Sequence, residues 1–338
     1  MVTDVIILAG GKGTRLSPLT DTLPKPLLPV GNIPTLSHIL RSLEKAGIRR
    51  ATITVGYKKE AIRERYGGIF RTIRLNYATE DAPLGTAGAV KAAVLPAGYS
   101  TDQFGDRLTE EGDILVLSGD ALFEGDLSHF IQSHEQNGAD VTIAAKYIEN
   151  VSEYGVMVGK PSRIETFVEK PSPENTPSHI VNIGMYLFSR RILSEIPEGV
   201  YDFGKDLFPA LLQKGYHLAY TLFTDYWCDI GTLESYLAAN LRQSGGGSVI
   251  GSHCAIPLSA HIESCVIMDS VTLGENTSIS HSIVASGVTV DDGVTLFHNV
   301  VGEGCHIISS PPPYTILSMQ NGKITASALP RKTKQFAM

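Results

Sequence analysis

Apolar positions follow one rhythm up to residue 243 and a different one after it. In the first stretch, short apolar runs alternate with segments of helical period. Val5, Ile6, Ile7 and Leu8 form a continuous run that predicts a buried parallel strand. Over 35–47, Leu36, Ile39, Leu40 and Leu43 recur at helical spacing, and Gly47 suits the helix end. Strands are predicted at 51–55, 74–77 and 113–117, a short charged helix at 58–66, and a small-residue helix at 85–94. This alternation predicts a largely parallel, doubly wound sheet. Ligands of such sheets bind beyond the carboxyl ends of the strands, where Gly10 and Asp120 both fall.

The long polar segment 96–112 reads as a surface excursion. From 141 to 222 the pattern turns strand-rich, with runs at 141–147, 154–159, 163–168 and 181–188. These predict an inserted antiparallel portion, followed by a helix at 203–214, a strand at 226–230 and a helix at 232–243. Residues 244–248 are Ser and Gly only and read as a linker. Beyond it, Ile250, Ile256, Ile262, Ile267, Leu273, Ile279, Val284, Val290, Leu296, Val301 and Ile307 recur every six residues with some five-residue steps. That period predicts a parallel β-helix of roughly three coils. Residues 314–328, turning at Asn321-Gly322, read as a capping hairpin, and 331–338 as a frayed or partner-dependent tail. The domain expectation is therefore 1–243, a linker at 244–248, a solenoid at 249–308, and hairpin plus tail at 309–338.

Composition narrows the classes. A chain of 338 residues with 43% apolar content has room for two domains with proper cores. A net charge of −7 argues against a nucleic-acid partner held by phosphate neutralisation. No apolar run is long enough to span a bilayer, so no membrane partner is expected. The first strand starts almost at Met1, which leaves no space for a signal peptide. The four cysteines show no zinc spacing and read as reduced thiols in a cytoplasmic protein.

The candidate chemistry begins in the turn after the first strand. Gly10, Gly11 and Gly13 leave main-chain N–H groups free to face an anion. Arg15 and Lys25 flank this turn, and prolines 18, 24, 26 and 29 stiffen the return. The dinucleotide fingerprint is excluded because its third glycine would fall at Leu16, and the P-loop pattern is absent as well. What remains is a cradle for a polyphosphate. Asp120, after the strand at 113–117 and Gly119, and Asp229, in the strand at 226–230 two residues before Gly231, are acids flanked by strand and glycine that could share one divalent cation, with Mg²⁺ favoured by hard oxygen ligands. Glu169-Lys170 before Pro171 is a rigid turn presenting one acceptor and one donor. The solenoid histidines, His253, His261, His281, His298 and His306, read mostly as solvated turn residues rather than an acyl-transfer site.

The motifs Gly10-Gly11-Lys12-Gly13-Thr14-Arg15-Leu16 and Pro24-Lys25-Pro26 resemble the opening of sugar-phosphate nucleotidylyltransferases. Leu84-Gly85-Thr86-Ala87-Gly88, Ser118-Gly119-Asp120, Glu153-Tyr154-Gly155, Phe167-Val168-Glu169-Lys170-Pro171, Asn182-Ile183-Gly184 and Trp227-Cys228-Asp229-Ile230-Gly231 match later motifs of that family in order, over 2–243. The six-residue repeat is similar to the left-handed β-helix that many members carry. The resemblance implies an α/β fold, a doubly wound, mostly parallel, Rossmann-like sheet with a C-terminal left-handed parallel β-helix.

The resemblance also implies a reaction and its residues. A sugar 1-phosphate oxygen attacks the α-phosphorus of a nucleoside triphosphate in line, and pyrophosphate leaves. Arg15 would stabilise the leaving pyrophosphate, Lys25 would sit over the α-phosphate, and Asp120 would join Asp229 on Mg²⁺. Leu8, Ala9, Gly10, Gly11, Gly13, Thr14, Glu80, Gly85 and Thr86 would bind the nucleotide. Lys170 would bind the sugar phosphate and Glu169 the sugar hydroxyls, with Tyr154, Gly155 and Asn182 lining the sugar side. Glu80 stands where thymidylyl-type relatives carry a Gln. A carboxylate only accepts hydrogen bonds, which suits the N1–H and N2 amine of guanine and opposes thymine and uracil. The chain most resembles mannose-1-phosphate guanylyltransferases, so GTP and mannose 1-phosphate are the expected substrates. The alternatives are a uridylyl- or thymidylyltransferase acting on glucose 1-phosphate, a heptose-1-phosphate guanylyltransferase, and a non-catalytic regulatory subunit. The β-helix would join copies into a homo-oligomer.

Overall fold

The computed structural model describes residues 2–94 and 112–329, and these divide into two compact units. The tail at 331–338 and, apart from Gly112, the loop expected at 96–112 lie outside the described residues. The units do not follow chain order. One is Met1–Lys12 with Thr35–Asp229, and the other is Gly13–Pro34 with Ile230–Met338.

The first unit is built on a ten-stranded sheet. Its centre is parallel: Ile73–Thr79, Arg50–Val55, Val2–Ala9 and Asp113–Ser118 lie side by side in that order. These strands are near-continuous apolar runs because both faces are covered. Ile6, Ile53, Leu75 and Val116 have no exposed surface. Ala9 pairs with Val55, Val55 with Thr79, and Leu8 with Ser118, so all four strands end at one edge. Gly10, Gly56, Glu80 and Gly119 follow these ends immediately.

The antiparallel portion is as expected from 141–222. Ile180–Phe188 pairs with Asp113–Ser118, and Gly155–Lys160 and Arg163–Glu169 lie beyond it. Val141–Tyr147 also pairs with Ile180–Phe188, and Leu218–Leu222 runs parallel to Val141–Tyr147. The strand Tyr226–Asp229 is outside the main sheet and pairs antiparallel with Ala121–Glu124. The helix Leu127–Asn137 had no counterpart in the sequence reading. The Asp126 carboxylate caps it by accepting from Ser128 N–H at 2.8 Å, and Gly138 closes it in the left-handed conformation. The helix expected at 203–214 is one π turn, Phe203–Leu207, running into Phe208–Gln213.

In the second unit the six-residue period builds a solenoid whose register step is 17 residues, as in Val249, Val266, Ile283 and Val300. Two hexads and one five-residue step make each coil, which explains the interruptions in the period. Ile267, Ile279, Val284, Leu296 and Val301 point inward with no exposed surface. His281 and His298 occupy one left-handed corner with Ser264 and Tyr314, and His253 another with Ser270, whereas His261 and His306 lie in strands. The hairpin Thr315–Gln320 and Lys323–Ala328 extends one sheet of the solenoid and turns at Asn321-Gly322. The helix Leu233–Gln243, capped by a reciprocal Thr232–Ser235 pair, packs with this unit.

The same unit holds the segment Gly13–Pro34. Tyr236 Oη donates to Pro29 O at 2.7 Å, Gly31 N–H donates to the Asn240 side chain at 3.0 Å, and Asn32 donates to Ile250 O at 2.7 Å. No helix among the described residues is long and apolar enough to cross a membrane.

Candidate active site

The strand ends of the first unit open onto a cleft of about 650 Å³. Leu8, Gly10, Gly11, Glu80, Gly85, Thr86 and Asp120 all line it, so seven of the expected residues meet there. Lys12, Thr54, Tyr57, Lys59 and Asp202 line it too, none of them given a role in the sequence reading. Ala9 is buried at 4% exposure, and its N–H donates to the Thr54 hydroxyl at 3.3 Å.

Glu80 is half-buried. Burial raises the pKa of its carboxyl above the ordinary carboxylate range, and hydrogen bonds from the Thr54 hydroxyl and the Leu84 backbone pull it partly back. The Thr54 hydroxyl therefore joins the start of the glycine turn to Glu80. A Cβ on Gly10 would meet Glu80 Oε1 at 2.6 Å, whereas one on Gly11 would meet open space.

Gly85 starts the helix Gly85–Val94 at φ 71°, with Tyr201 O only 2.7 Å from where its Cβ would be. Only glycine combines that backbone angle with that contact. Thr86 N–H and Oγ both donate to Asp202 Oδ1, at 3.3 and 3.2 Å.

Asp120 follows the central strand, and the Ser118 hydroxyl donates to it in a short bond. Register sets Asp229 opposite Ala121, next along the chain from Asp120. One half-buried carboxylate thus precedes the strand Ala121–Glu124 and the other ends its partner strand, a donor set that fits a hard divalent cation completed by water or phosphate oxygens.

Of the sugar-side candidates, Tyr154, Gly155 and Lys170 adjoin Glu169. Gly155 pairs with Glu169 across the antiparallel ladder, and a Cβ there would meet the carboxylate Oε2 at 2.8 Å. Burial raises the Glu169 pKa, Lys170 and Lys205 oppose that rise, and Asp202 adds to it. Lys170 is exposed, sits at φ 47°, and its N–H donates to Tyr154 O at 3.0 Å. Tyr154 meets Trp227 edge to face at 5.9 Å. Asn182 donates to Tyr186 Oη at 2.9 Å and accepts from Gly184 N–H at 2.9 Å, so its amide is held at both ends.

Gly13, Thr14, Arg15 and Lys25 belong to the other unit. Gly13 takes φ 66° ahead of the turn Thr14–Leu16, and its carbonyl accepts from the Thr20 hydroxyl at 2.9 Å. A Cβ on Gly13 would stand 3.1 Å from Lys25 Cβ, so the glycine brings the turn onto the lysine stem. Lys25 is 8% exposed, whereas Arg15 and Thr14 are exposed.

Asp202 was missed because an Asp after Val200-Tyr201 carries no motif. The one available signal is the small-residue run 85–89, which requires close packing by some other segment.

A nucleotidyl transferase family model matches residues 4–244, and a GlmU-like C-terminal hexapeptide model matches 231–310. A mannose-1-phosphate guanylyltransferase of Mycobacterium tuberculosis is 33% identical over 69% of this chain and 62% of its own length. The chain thus spans less than two thirds of that relative. A UTP–glucose-1-phosphate uridylyltransferase of Synechocystis is 31% identical over 82% of this chain and 75% of its own. Among solved structures, HddC from Yersinia pseudotuberculosis complexed with GMP-PN superimposes with a TM-score of 0.58 and 27% identity, over 71% of this chain and 99% of that one.

Proposed function

The chain belongs to the nucleotidyl transferase family, and we propose that it joins a sugar 1-phosphate to a nucleoside triphosphate with release of pyrophosphate, using GTP and mannose 1-phosphate. The observation that carries the guanine reading is Glu80. This acceptor-only group lines the cleft, held by Thr54 and the Leu84 backbone. It matches two adjacent donors on guanine and opposes the acceptors that flank the single N–H of uracil or thymine. The mannosyl and guanylyl names among the relatives support the same pair.

The attacking phosphate oxygen is already anionic near neutral pH, since a monoester's second pKa is about 6. No general base is needed. The new bond runs from that oxygen to the α-phosphorus, and the bond to the β-phosphate oxygen breaks. Catalysis then consists of positioning and charge stabilisation. Lys25 neutralises the α-phosphate and Arg15 the departing pyrophosphate. Glu169 accepts from sugar hydroxyls, Lys170 pairs with the sugar phosphate, and Tyr154, Gly155 and Asn182 shape that side. Asp120 and Asp229 would hold Mg²⁺, which would neutralise phosphate charge. The solenoid joins copies into a homo-oligomer.

A second reading, uridylyl transfer to glucose 1-phosphate, is favoured by a uridylyltransferase relative that matches 82% of this chain. The test is a matrix of GTP, UTP and dTTP against mannose, glucose and heptose 1-phosphates, followed by pyrophosphate release. GTP with mannose 1-phosphate is expected to exceed every other pair about tenfold or more, the worth of one charge-assisted hydrogen bond. Equal or faster turnover of UTP with glucose 1-phosphate overturns the guanylyl reading. Release with no pair at all makes the chain a non-catalytic subunit.

A further inference from the structure

The amides at the start of the helix Gly85–Val94 point where a helix would ordinarily meet an anion. Here the protein itself takes them. Ala87 N–H and Gly88 N–H both donate to Tyr201 O at 2.9 Å, and Tyr201 N–H donates back to Leu84 O at 2.9 Å. Thr86 N–H donates to Asp202 Oδ1, and the Thr86 hydroxyl donates to the same oxygen while accepting from Phe203 N–H at 2.9 Å. Asp202 is fixed in turn, because its own N–H donates to Asp206 Oδ2 at 2.8 Å.

Two residues further on, the same strip reaches the other substrate side. Gly204 lies against the Glu169 carboxylate so closely that a Cβ would overlap Oε2 and stand 2.9 Å from the carboxyl carbon. Tyr201 to Gly204 therefore touch the nucleotide-side helix start with one end and the sugar-side carboxylate with the other. Asp202 also lines the cleft.

We propose that Asp202 is a positioning residue that clasps the Thr86 turn and, through Phe203 and Gly204, sets Glu169, so that both substrates are bound by one rigid strip. This rests on the reading above that Gly85 and Thr86 serve the nucleotide and Glu169 the sugar. It gives the unexpected Asp202 a role that a merely structural aspartate would not have. Disturbing it on the nucleotide side alters affinity for the sugar phosphate, and the reverse.

The test uses the full chain and steady-state kinetics with GTP and mannose 1-phosphate, or with whichever pair the matrix shows the wild type prefers. A wild type inactive with every pair defeats the functional reading before any variant is made. Asp202→Ala is expected to raise KM for both substrates about tenfold, the loss of hydrogen bonds to a charged group. Asp202→Asn keeps the Oδ1 acceptor and is expected to return both KM values to within roughly threefold of wild type. Thr86→Val removes the shared hydroxyl while leaving Asp202 in place, and is expected to raise the sugar-phosphate KM together with the nucleotide KM. The proposal is overturned if Thr86→Val leaves the sugar-phosphate KM unchanged. It is equally overturned if Asp202→Asn is as impaired as Asp202→Ala, or if kcat falls with both KM values constant.

Discussion

Glu80 Oε1 lies 2.6 Å from the point where a Cβ on Gly10 would stand. A side chain at Gly10 would collide with Glu80, so the glycine turn and the position proposed to read the base pack as one unit. Glu80 cannot easily swing aside, since Thr54 and Leu84 both hold it. Gly10→Ala is expected to lower the thermal midpoint and to raise the nucleotide KM about tenfold or more, as overpacking typically costs about 1–3 kcal/mol. Gly11→Ala, which meets open space, is expected to leave the midpoint unchanged. Equal midpoints for the two variants would refute the packing argument.

Glu80→Gln isolates the charge from the shape. The amide oxygen still accepts from Thr54 and Leu84, but the amide NH₂ opposes the donors of guanine. The GTP-to-UTP preference is expected to fall roughly 10- to 100-fold, the worth of a charge-assisted hydrogen bond. Competition assays containing both triphosphates measure this ratio directly, and a ratio equal to wild type would remove Glu80 from base recognition.

The same carboxylate predicts a pH dependence. Burial raises the Glu80 pKa above its ordinary 4.5. The ionised form, the one proposed to accept from guanine, exists above the folded-state pKa and is lost as pH falls through it. The acid-side rise in GTP KM is thus expected to begin at a higher pH than an exposed carboxylate would give, and to vanish in Glu80→Gln. Linkage has the opposite sign for stability. The fold binds this proton more tightly than the unfolded chain, so stability from Glu80 grows as pH falls from above the folded pKa toward 4.5. Glu80→Gln is therefore expected to be at least as stable as wild type at neutral pH. Thermal melts and KM profiles across acid pH check both signs.

The strand ends that carry Gly10, Glu80 and Asp120 were legible in the sequence because continuous apolar runs mark buried parallel strands directly. The solenoid was legible because a fixed period needs no partner to be recognised. Leu127–Asn137 was not, since its buried face rests on Leu127, Phe130 and His134, too sparse for a clear helical period. Asp202 was invisible for a different reason. The partner of its side chain, Thr86, is 116 residues away, and a hydrogen bond at that separation leaves no local pattern. The membership of Gly13–Pro34 in the solenoid-bearing unit was equally hidden, because single bonds such as Asn32 to Ile250 fix it.

That last relationship yields the most demanding prediction. Arg15 and Lys25 are carried by a segment whose neighbours belong to the solenoid and its helix. A Cβ on Gly302 would stand 3.1 Å from Pro18 Cβ and 3.2 Å from Leu317 O. Pro18 lies only three residues from Arg15, and leucine 317 offers a backbone atom that cannot yield. Gly302→Val is therefore expected to displace Pro18, and with it the turn Thr14–Leu16 that carries Arg15. If the solenoid serves only to join copies, this buried change leaves turnover intact. If it also supports the cation-bearing segment, kcat/KM is expected to fall about tenfold, or roughly 1.4 kcal/mol, with the oligomeric mass unaltered. Activity assays paired with light scattering separate the two outcomes. Truncation after Gln243 would not, because it removes Ile250 from Asn32 and Gly302 from Pro18 along with any contact between copies.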